Sequence, residues 1–166
     1  MRYSFIKAHE EDVQDVYGLI ATRVKWMDDN NIIQWNTTDY LNVYPLTYYQ
    51  QHQREGRLFK MVNSDTGRLL GVMVLVDVDT RWPGYEAMDS FFVHNFATVP
   101  GENGIGSLML KEAENYAIIN GKSYLRLDCP SHSQILNAYY EAKGYIHVGS
   151  CVDGLYRGKL REKRLI

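Results

Sequence analysis

The sequence Phe91-Phe92-Val93-His94-Asn95-Phe96-Ala97-Thr98-Val99 is followed directly by Pro100-Gly101-Glu102-Asn103-Gly104-Ile105-Gly106-Ser107. The first part is an apolar run that predicts a β-strand, and apolar residues then recur at helical spacing up to Ile119. A glycine-rich loop between a strand and a helix gathers unpaired backbone N–H groups at the positive end of the helix dipole. Residues 101–107 are therefore predicted to bind a phosphate group. The alternative is a turn that only packs the helix close to the strand.

The spacing within this loop excludes two common phosphate-binding motifs. Gly101 and Gly106 have the glycine spacing of a Walker A loop, but Ser107 follows directly and the lysine of that motif is missing. The dinucleotide fingerprint requires a third glycine three residues after Gly106, where this chain has Met109. What remains is a Gly-x-Gly sequence at the start of a helix in the middle of the chain.

This loop resembles the pyrophosphate loop of the GCN5-related N-acetyltransferase (GNAT) superfamily, which reads Gln/Arg-x-x-Gly-x-Gly/Ala. Gly104 and Gly106 match its two glycines, and Gly101 stands where the family usually has glutamine or arginine. A later segment resembles the helix of the family that ends Leu-Tyr-Glu-x-x-Gly-Phe. There Tyr140 falls at the tyrosine, and Ser133 takes the position seven residues earlier where the family often has asparagine.

The rest of the chain predicts one domain, residues 1–166, of the α/β class with a mixed sheet. Hydrophobic residues make up 45% of its 166 residues, which is enough for a single core. Sequence patterns predict strands near 3–7, 58–62, 69–76, 87–99, 124–129, 145–151 and 155–160, and helices near 13–27, 46–54 and 105–119. The resemblance to the late helix of the family implies a further helix at 136–145. The resemblance implies the same layout, a GNAT-like fold in which a sheet with two splayed strands is flanked by about four helices.

Composition limits which partners the protein can bind and where in the cell it is expected. A net charge of −2 argues against binding to duplex nucleic acid, which requires a basic face. The two cysteines, Cys129 and Cys151, lack the spacing of a metal site, and Cys129, at the end of a predicted buried strand, is predicted to be a reduced core thiol. No signal peptide or membrane span is visible, so the expected location is the cytoplasm. The sequence leaves open whether the protein forms a homodimer.

The resemblance implies acetyl-CoA as the cosubstrate. In the family the pantetheine arm pairs with an exposed strand edge, and the thioester carbonyl lies beside a backbone N–H. The corresponding strand residues here are Asn95, Phe96 and Ala97. The implied pyrophosphate and helix contacts are Gly101, Glu102, Asn103, Gly104, Ile105, Gly106, Ser107, Ser133 and Tyr140.

Acetyl transfer to an amine requires a base for the nucleophile and an acid for the departing thiolate. Tyr140 is the candidate acid by its position in the family, and the alternative is an aromatic residue that only packs in the core. The candidate bases are Glu86 and Asp89, at the entry to the long strand, and His94, which titrates near neutral pH. A chain of water molecules without a single base is also compatible with the sequence.

Aromatic residues in the family's specificity regions are the candidates for binding the acceptor. They are Trp26, Trp35, Trp82 and Tyr85, with tyrosines at 40, 44, 48 and 49 nearby. Such rings suit a cationic or partly apolar amine of a small molecule or peptide, although many aromatic residues only pack in the core.

Two functions are therefore predicted. The first is an N-acetyltransferase that moves the acetyl group directly to a primary amine in a ternary complex. The second is a non-catalytic module on the same fold that binds acyl-CoA as a regulatory ligand.

Overall fold

A computed structural model of the protein describes residues 2–85 and 89–166. The strands in these ranges are β1 (Tyr3–Lys7), β2 (Leu58–Asn63), β3 (Leu69–Val76), β4 (Ser90–Thr98), β5 (Tyr124–Pro130), β6 (Ile146–Asp153) and β7 (Tyr156–Arg164). The α-helices are α1 (Val13–Asp29), α2 (Tyr40–Val43), α3 (Leu46–Arg54), α4 (Ile105–Ile119) and α5 (Gln134–Ala142). The element order follows the sequence prediction, with the four-residue helix α2 added.

The strands form a seven-stranded mixed sheet in the order β1-β2-β3-β4-β5-β7-β6. Strands β1 and β2 pair antiparallel, as do β2 and β3. Strands β4 and β5 are parallel, whereas β7 pairs antiparallel with both β5 and β6. The prediction of a mixed sheet is therefore confirmed.

Apolar patterning explains the central elements. Strand β3 has the sequence LLGVMVLV and is buried from its second residue to its end, as expected of a strand covered on both faces. Helix α1 buries one apolar stripe, formed by Val13, Val16, Leu19, Ile20 and Met27. Its other residues are half-buried or exposed.

Gly71 in β3 allows α4 to approach the sheet closely. A Cβ built at Gly71 would collide with the sulfur of Met109 in α4 and would lie 3.2 Å from the carbonyl oxygen of Ala97. Only glycine fits there without displacing the helix or β4. Because Met109 is fully buried, this contact fixes where the first turn of α4 lies relative to β3.

The chain divides into two compact units. The first comprises the chain up to Leu75 together with Asn95–Glu112, and the second comprises Val76–His94 together with Ala113–Ile166. The glycine loop belongs to the first unit and Tyr140 to the second. The single-domain organisation therefore stays a prediction. Within the described ranges, every helix is too short or too polar to span a membrane.

Candidate active site

The glycine loop of the first unit is built from a tight turn and a helix start. The Glu102 amide donates to the carbonyl of Val99 at 3.3 Å, with Pro100 and then Gly101 between them. Gly101 has φ +86°, so these four residues have the signature of a type II turn. Gly104 has φ +85°, and its carbonyl accepts from the Leu108 amide at 3.1 Å, which starts α4. Both glycines are thus required by their left-handed backbone.

The space beside this loop is open on its outer side. A Cβ built on Gly101 or Gly104 would meet no atom within 4 Å among the described residues. The backbone N–H groups in the first turn of α4 have no carbonyl acceptor within the helix. They can therefore donate to an anion. Glu102 is the acidic residue of the loop, and Arg68 pairs with its carboxylate. The loop therefore fits a diphosphate without leaving a bare negative charge beside it.

Strand β4 leaves its parallel partner just before the predicted acyl site. The β4–β5 ladder runs from Ser90–Tyr124 to Val93–Leu127, while β4 itself continues to Thr98. Two residues later Asn95 has φ +50°, a left-handed conformation that is typical of a β-bulge and uncommon outside glycine. The sequence prediction of splayed strands at this point rests on the resemblance, and the short ladder agrees with it.

Beyond Asn95, the backbone groups of β4 alternate between its two edges. The Val99 amide donates to Leu70 of β3 at 2.9 Å, and the Ala97 carbonyl also lies against β3 at Gly71. Because alternate residues of a strand point their backbone groups to opposite edges, those of Phe96 and Thr98 face away from β3. The Thr98 carbonyl is taken by Arg23, which donates from Nε at 2.8 Å. Of the three residues predicted to bind the acyl arm, Phe96 therefore has the most suitable backbone.

Most aromatic candidates of the first unit form a continuous series of rings. Trp35 stacks on Tyr40 at 4.3 Å, and the series continues through Tyr44 and Tyr48 to His52, with neighbouring centroids 4.4–4.9 Å apart. Trp26 lies apart from this series in α1, under the guanidinium of Arg23 at 4.6 Å. The sequence predicted these rings but not their order.

The side chain of Asn95 is held by two of these tyrosines. Its Nδ2 donates to Tyr40 Oη at 2.7 Å, and its Oδ1 accepts from Tyr48 Oη at 2.8 Å. Asn95 and Tyr40 are both buried. The helices α2 and α3 are thereby tied to the left-handed residue of β4.

Trp82 and Tyr85 belong to the second unit. Trp82 is fully buried and packs edge-on against Phe92 and Tyr85 at 5.5 and 5.6 Å. Arg126 places its guanidinium 4.7 Å above the Tyr85 ring. Both rings therefore pack against their neighbours. An acceptor-binding role for Trp82 and Tyr85 stays a prediction, and these contacts do not support it.

His94 lies in a buried charged network of the second unit. Arg81 Nη2 lies 3.0 Å from His94 Nδ1, and His94 Nε2 lies 3.0 Å from the Asp79 carboxylate. Because a guanidinium only donates, Nδ1 accepts and Nε2 carries the ring proton. The same Arg81 nitrogen donates to Asp128 at 2.9 Å. Burial alone would raise the pKa of Asp79, but hydrogen bonds from His94 and Arg81 hold it well below its ordinary range.

The other two candidate bases are less informative. Asp89 is exposed, and its carboxylate accepts from the Ser123 hydroxyl at 3.2 Å. Glu86 lies outside the described residues. With both ring nitrogens of His94 engaged, none of the described candidates is a preformed general base in this structure.

Tyr140 is buried in α5, and burial is the main cause that raises its pKa well above its ordinary value. The phenol therefore keeps its proton at neutral pH, which suits an acid. Ser133 caps the same helix, because its Oγ accepts from the Leu136 amide at 3.3 Å. Its role in cofactor binding stays a prediction.

Sequence analysis missed Asn137, which secures the start of α5. Its Nδ2 donates to the carbonyls of Pro130 and Ser133 at 3.0 and 2.8 Å, and its Oδ1 accepts from Arg161. A polar residue on the apolar face of a predicted helix is the signal that could have identified it.

Comparisons with known proteins agree with this geometry. No family model matches the chain. A curated relative, the uncharacterized N-acetyltransferase YesJ of Bacillus subtilis, is 24% identical over 155 residues, which are 88% of this chain and 83% of the relative. A GNAT-family acetyltransferase of Listeria monocytogenes has a TM-score of 0.83 at 19% identity, covering 98% of this chain and 94% of that one.

A further similar structure was solved with coenzyme A, the molecule that acetyl-CoA is built on. The PaiA N-acetyltransferase of Thermoplasma acidophilum, in complex with coenzyme A, has a TM-score of 0.76 at 15% identity over 99% of each chain. Both similarities cover nearly the whole chain, so the GNAT-like fold that the resemblance implied is confirmed. The chain therefore has the fold of the GCN5-related N-acetyltransferases.

Proposed function

We propose that this protein is an acetyl-CoA-dependent N-acetyltransferase that transfers the acetyl group directly to a primary amine. The observation that carries the proposal is the loop of Gly101 and Gly104, which turns β4 into the open N-terminus of α4. Helix N-termini of this kind bind phosphate through backbone N–H groups. The nucleotide diphosphate would be held there, with Arg68 keeping Glu102 neutralised.

The acyl arm would pair with β4 at Phe96. Its backbone groups face away from β3, and the break at Asn95 separates them from the β4–β5 ladder. Acetyl-CoA supplies the acetyl group, so that a C–N bond to the amine forms as the C–S bond breaks. A backbone N–H directed at the thioester oxygen would stabilise the charge that develops there.

Two protons must move in this reaction. The thiolate takes one, and we propose Tyr140 as its donor, since burial keeps that phenol protonated. The attacking nitrogen loses the other. The engaged ring of His94 and the exposed position of Asp89 favour transfer to water over transfer to either side chain.

The acceptor would contact the ring series of the first unit. Trp35 and Tyr44 are half-buried, so part of each ring remains accessible. Aromatic faces bind ammonium groups and apolar carbon alike. An amine with a cationic or partly apolar body, in a small molecule or a peptide, is the acceptor class that these rings support.

The diphosphate site is tested by Gly104→Val, with the affinity for CoA measured by calorimetry. Valine would strain the left-handed backbone and fill the open space, so we expect a loss of about 100-fold or more. The matched control is Gly121→Val, because Gly121 also has positive φ and open space but follows the other end of α4. Equal losses in both variants, or unchanged affinity in Gly104→Val, would overturn the site.

Catalysis is tested separately by thiol release from acetyl-CoA over a panel of primary amines. Tyr140→Phe is expected to lose turnover by about 100-fold while keeping CoA affinity. Tyr139→Phe, on the adjacent position of the same helix, is the control. Tight CoA binding without turnover for any amine would instead indicate the non-catalytic module.

A further inference from the structure

Asn95 adopts an unusual backbone conformation for its place in the molecule. It lies within β4, is 7% exposed and has φ +50°. For most L-residues the left-handed region costs roughly 1–2 kcal/mol, and asparagine adopts it more readily than most. A buried strand residue holds this conformation only when its surroundings impose it.

The imposing contacts come from Tyr40 and Tyr48. The Asn95 carboxamide donates to one hydroxyl and accepts from the other, at 2.7 and 2.8 Å, so both of its polar atoms are engaged. The directions are fixed, because Oδ1 has no proton and Tyr48 must therefore donate. Tyr40 accepts, which turns its own proton away from Asn95.

The two tyrosines are themselves held rigidly. Tyr40 lies nearly parallel to Trp35, at 4.3 Å and 11°, and tilts against Tyr44 at 4.7 Å. Tyr48 meets the edges of Tyr44 and His52 at 4.9 and 4.4 Å. Side chains packed in this way lose little further freedom when they hold a third group.

We propose that Tyr40 and Tyr48 are positioning residues for acetyl transfer. By fixing Asn95 in its left-handed conformation, they set the direction of the Phe96 backbone, which is the next residue. The inference rests on the proposed function, in which Phe96 pairs with the acyl arm. The same ring series that is proposed to contact the acceptor would then also align the acyl group.

A double-mutant cycle tests this clamp. The variants are Tyr48→Phe, Asn95→Gly and the combination, since glycine keeps the left-handed backbone accessible while removing the carboxamide. We expect each single variant to lower kcat about tenfold, and the combination to lower it no further. The affinity for CoA, which depends mainly on the diphosphate, is expected to stay unchanged. Additive losses would overturn the coupling.

A stabilising role alone would give a different pattern. It would lower the melting temperature and leave kcat unchanged well below that temperature. Tyr17→Phe is the control for deletion of a tyrosine hydroxyl in the same unit, because the Tyr17 ring meets Tyr49 at 5.9 Å while the two hydrogen bonds of the Asn95 side chain go to Tyr40 and Tyr48. A loss of kcat in Tyr17→Phe equal to that in Tyr48→Phe would count against the clamp.

One readout needs neither cosubstrate nor acceptor. Amide hydrogen exchange at Phe96, followed by NMR, is expected to be about tenfold faster in Tyr48→Phe than in the wild-type protein. Unchanged exchange would overturn the clamp even if the protein is an active acetyltransferase. Faster exchange in a protein that fails to bind CoA would keep the clamp and overturn the proposed function.

Discussion

His94 and Asn95 are consecutive residues of β4, yet they are held by opposite kinds of interaction. His94 lies in a charged network with Asp79, Arg81 and Asp128. Asn95 is held by neutral hydrogen bonds to two tyrosines. The first arrangement depends on protonation states, whereas the second depends on hydroxyl groups that do not titrate near neutral pH. One strand is thus fixed at neighbouring positions by contacts that respond to different conditions.

The charged network depends on full pairing of its carboxylates. Asp79 is 7% exposed and accepts from the Arg81 amide at 2.9 Å, from the Arg81 guanidinium and from His94. A buried carboxylate is tolerated only with this degree of pairing. Loss of Asp79 would leave Arg81 and His94 with one partner fewer each.

The largest effect on stability is expected from Asp79→Asn. The new NH2 group would face donors on Arg81 and His94, so we expect the free energy of unfolding to fall by about 3 kcal/mol. Chemical denaturation measures this change. Asp77→Asn in the same loop is the control, because Asp77 pairs with Lys122 at 3.1 Å but its side chain is 53% exposed. The control is expected to cost less than about 1 kcal/mol, and similar losses in both would contradict the network.

The lowered pKa of Asp79 predicts that the free energy of unfolding falls at acid pH. The pKa of Asp79 in the folded state lies below its ordinary value of 3.8, so its contribution is complete above that value. The contribution is then lost as pH falls through 3.8 towards the folded pKa. Arg81 and His94 face Asp79 directly, and both residues are present in the wild-type protein and in the Asp79→Asn variant. Between pH 5 and 3, the unfolding free energy of the wild-type protein should fall more steeply than that of Asp79→Asn. Parallel curves would refute the assignment.

A smaller and qualitatively different effect is expected at Asn95. Asn95→Ala loses the tyrosine contacts and keeps the cost of a left-handed backbone, whereas Asn95→Gly loses only the contacts. We expect the alanine variant to be less stable than the glycine variant by about 1 kcal/mol, and this difference to be independent of pH between 5 and 8. The reverse order in denaturation experiments would show that the left-handed conformation is not maintained.

The smallest effect is expected from Tyr49→Phe. Tyr49 is fully buried, and within the described residues its hydroxyl makes no well-formed hydrogen bond, its interaction with the Tyr40 hydroxyl being weak. Removing it should change the free energy of unfolding by less than about 0.5 kcal/mol, or raise it slightly. Tyr145→Phe is the matched comparison, because that buried hydroxyl donates to Glu114 at 2.9 Å. A loss in Tyr49→Phe as large as in Tyr145→Phe would reveal a well-formed hydrogen bond that the geometry does not contain.

Local patterns carried most of what sequence could predict. The glycines at 101 and 104 punctuate a strand–loop–helix order, and Asp153-Gly154 marks the hairpin between β6 and β7. Each of these signals lies within a few residues, where backbone conformation alone decides the outcome. The placement of Tyr140 on a helix came instead from the resemblance to the family, and the structure has it in α5.

Contacts between distant residues were not predictable. Tyr40 and Asn95 are 55 residues apart, and Arg81 and Asp128 are 47 apart. Nothing in a single sequence tells which tyrosine of several reaches a given asparagine, or that His94 will be bonded at both nitrogens. The base and the acceptor residues depend on such contacts, and their assignment therefore stays a prediction.

The position of β7 has a consequence for biosynthesis. It is hydrogen-bonded to β5 on one side and to β6 on the other, although it follows both in the chain. A ribosome therefore releases β5 and β6 before the strand that joins them exists. We expect this half of the sheet to form only after Arg164 has left the exit tunnel. Until then one edge of β5 and one edge of β6 are unpaired, and chaperones could bind them during translation.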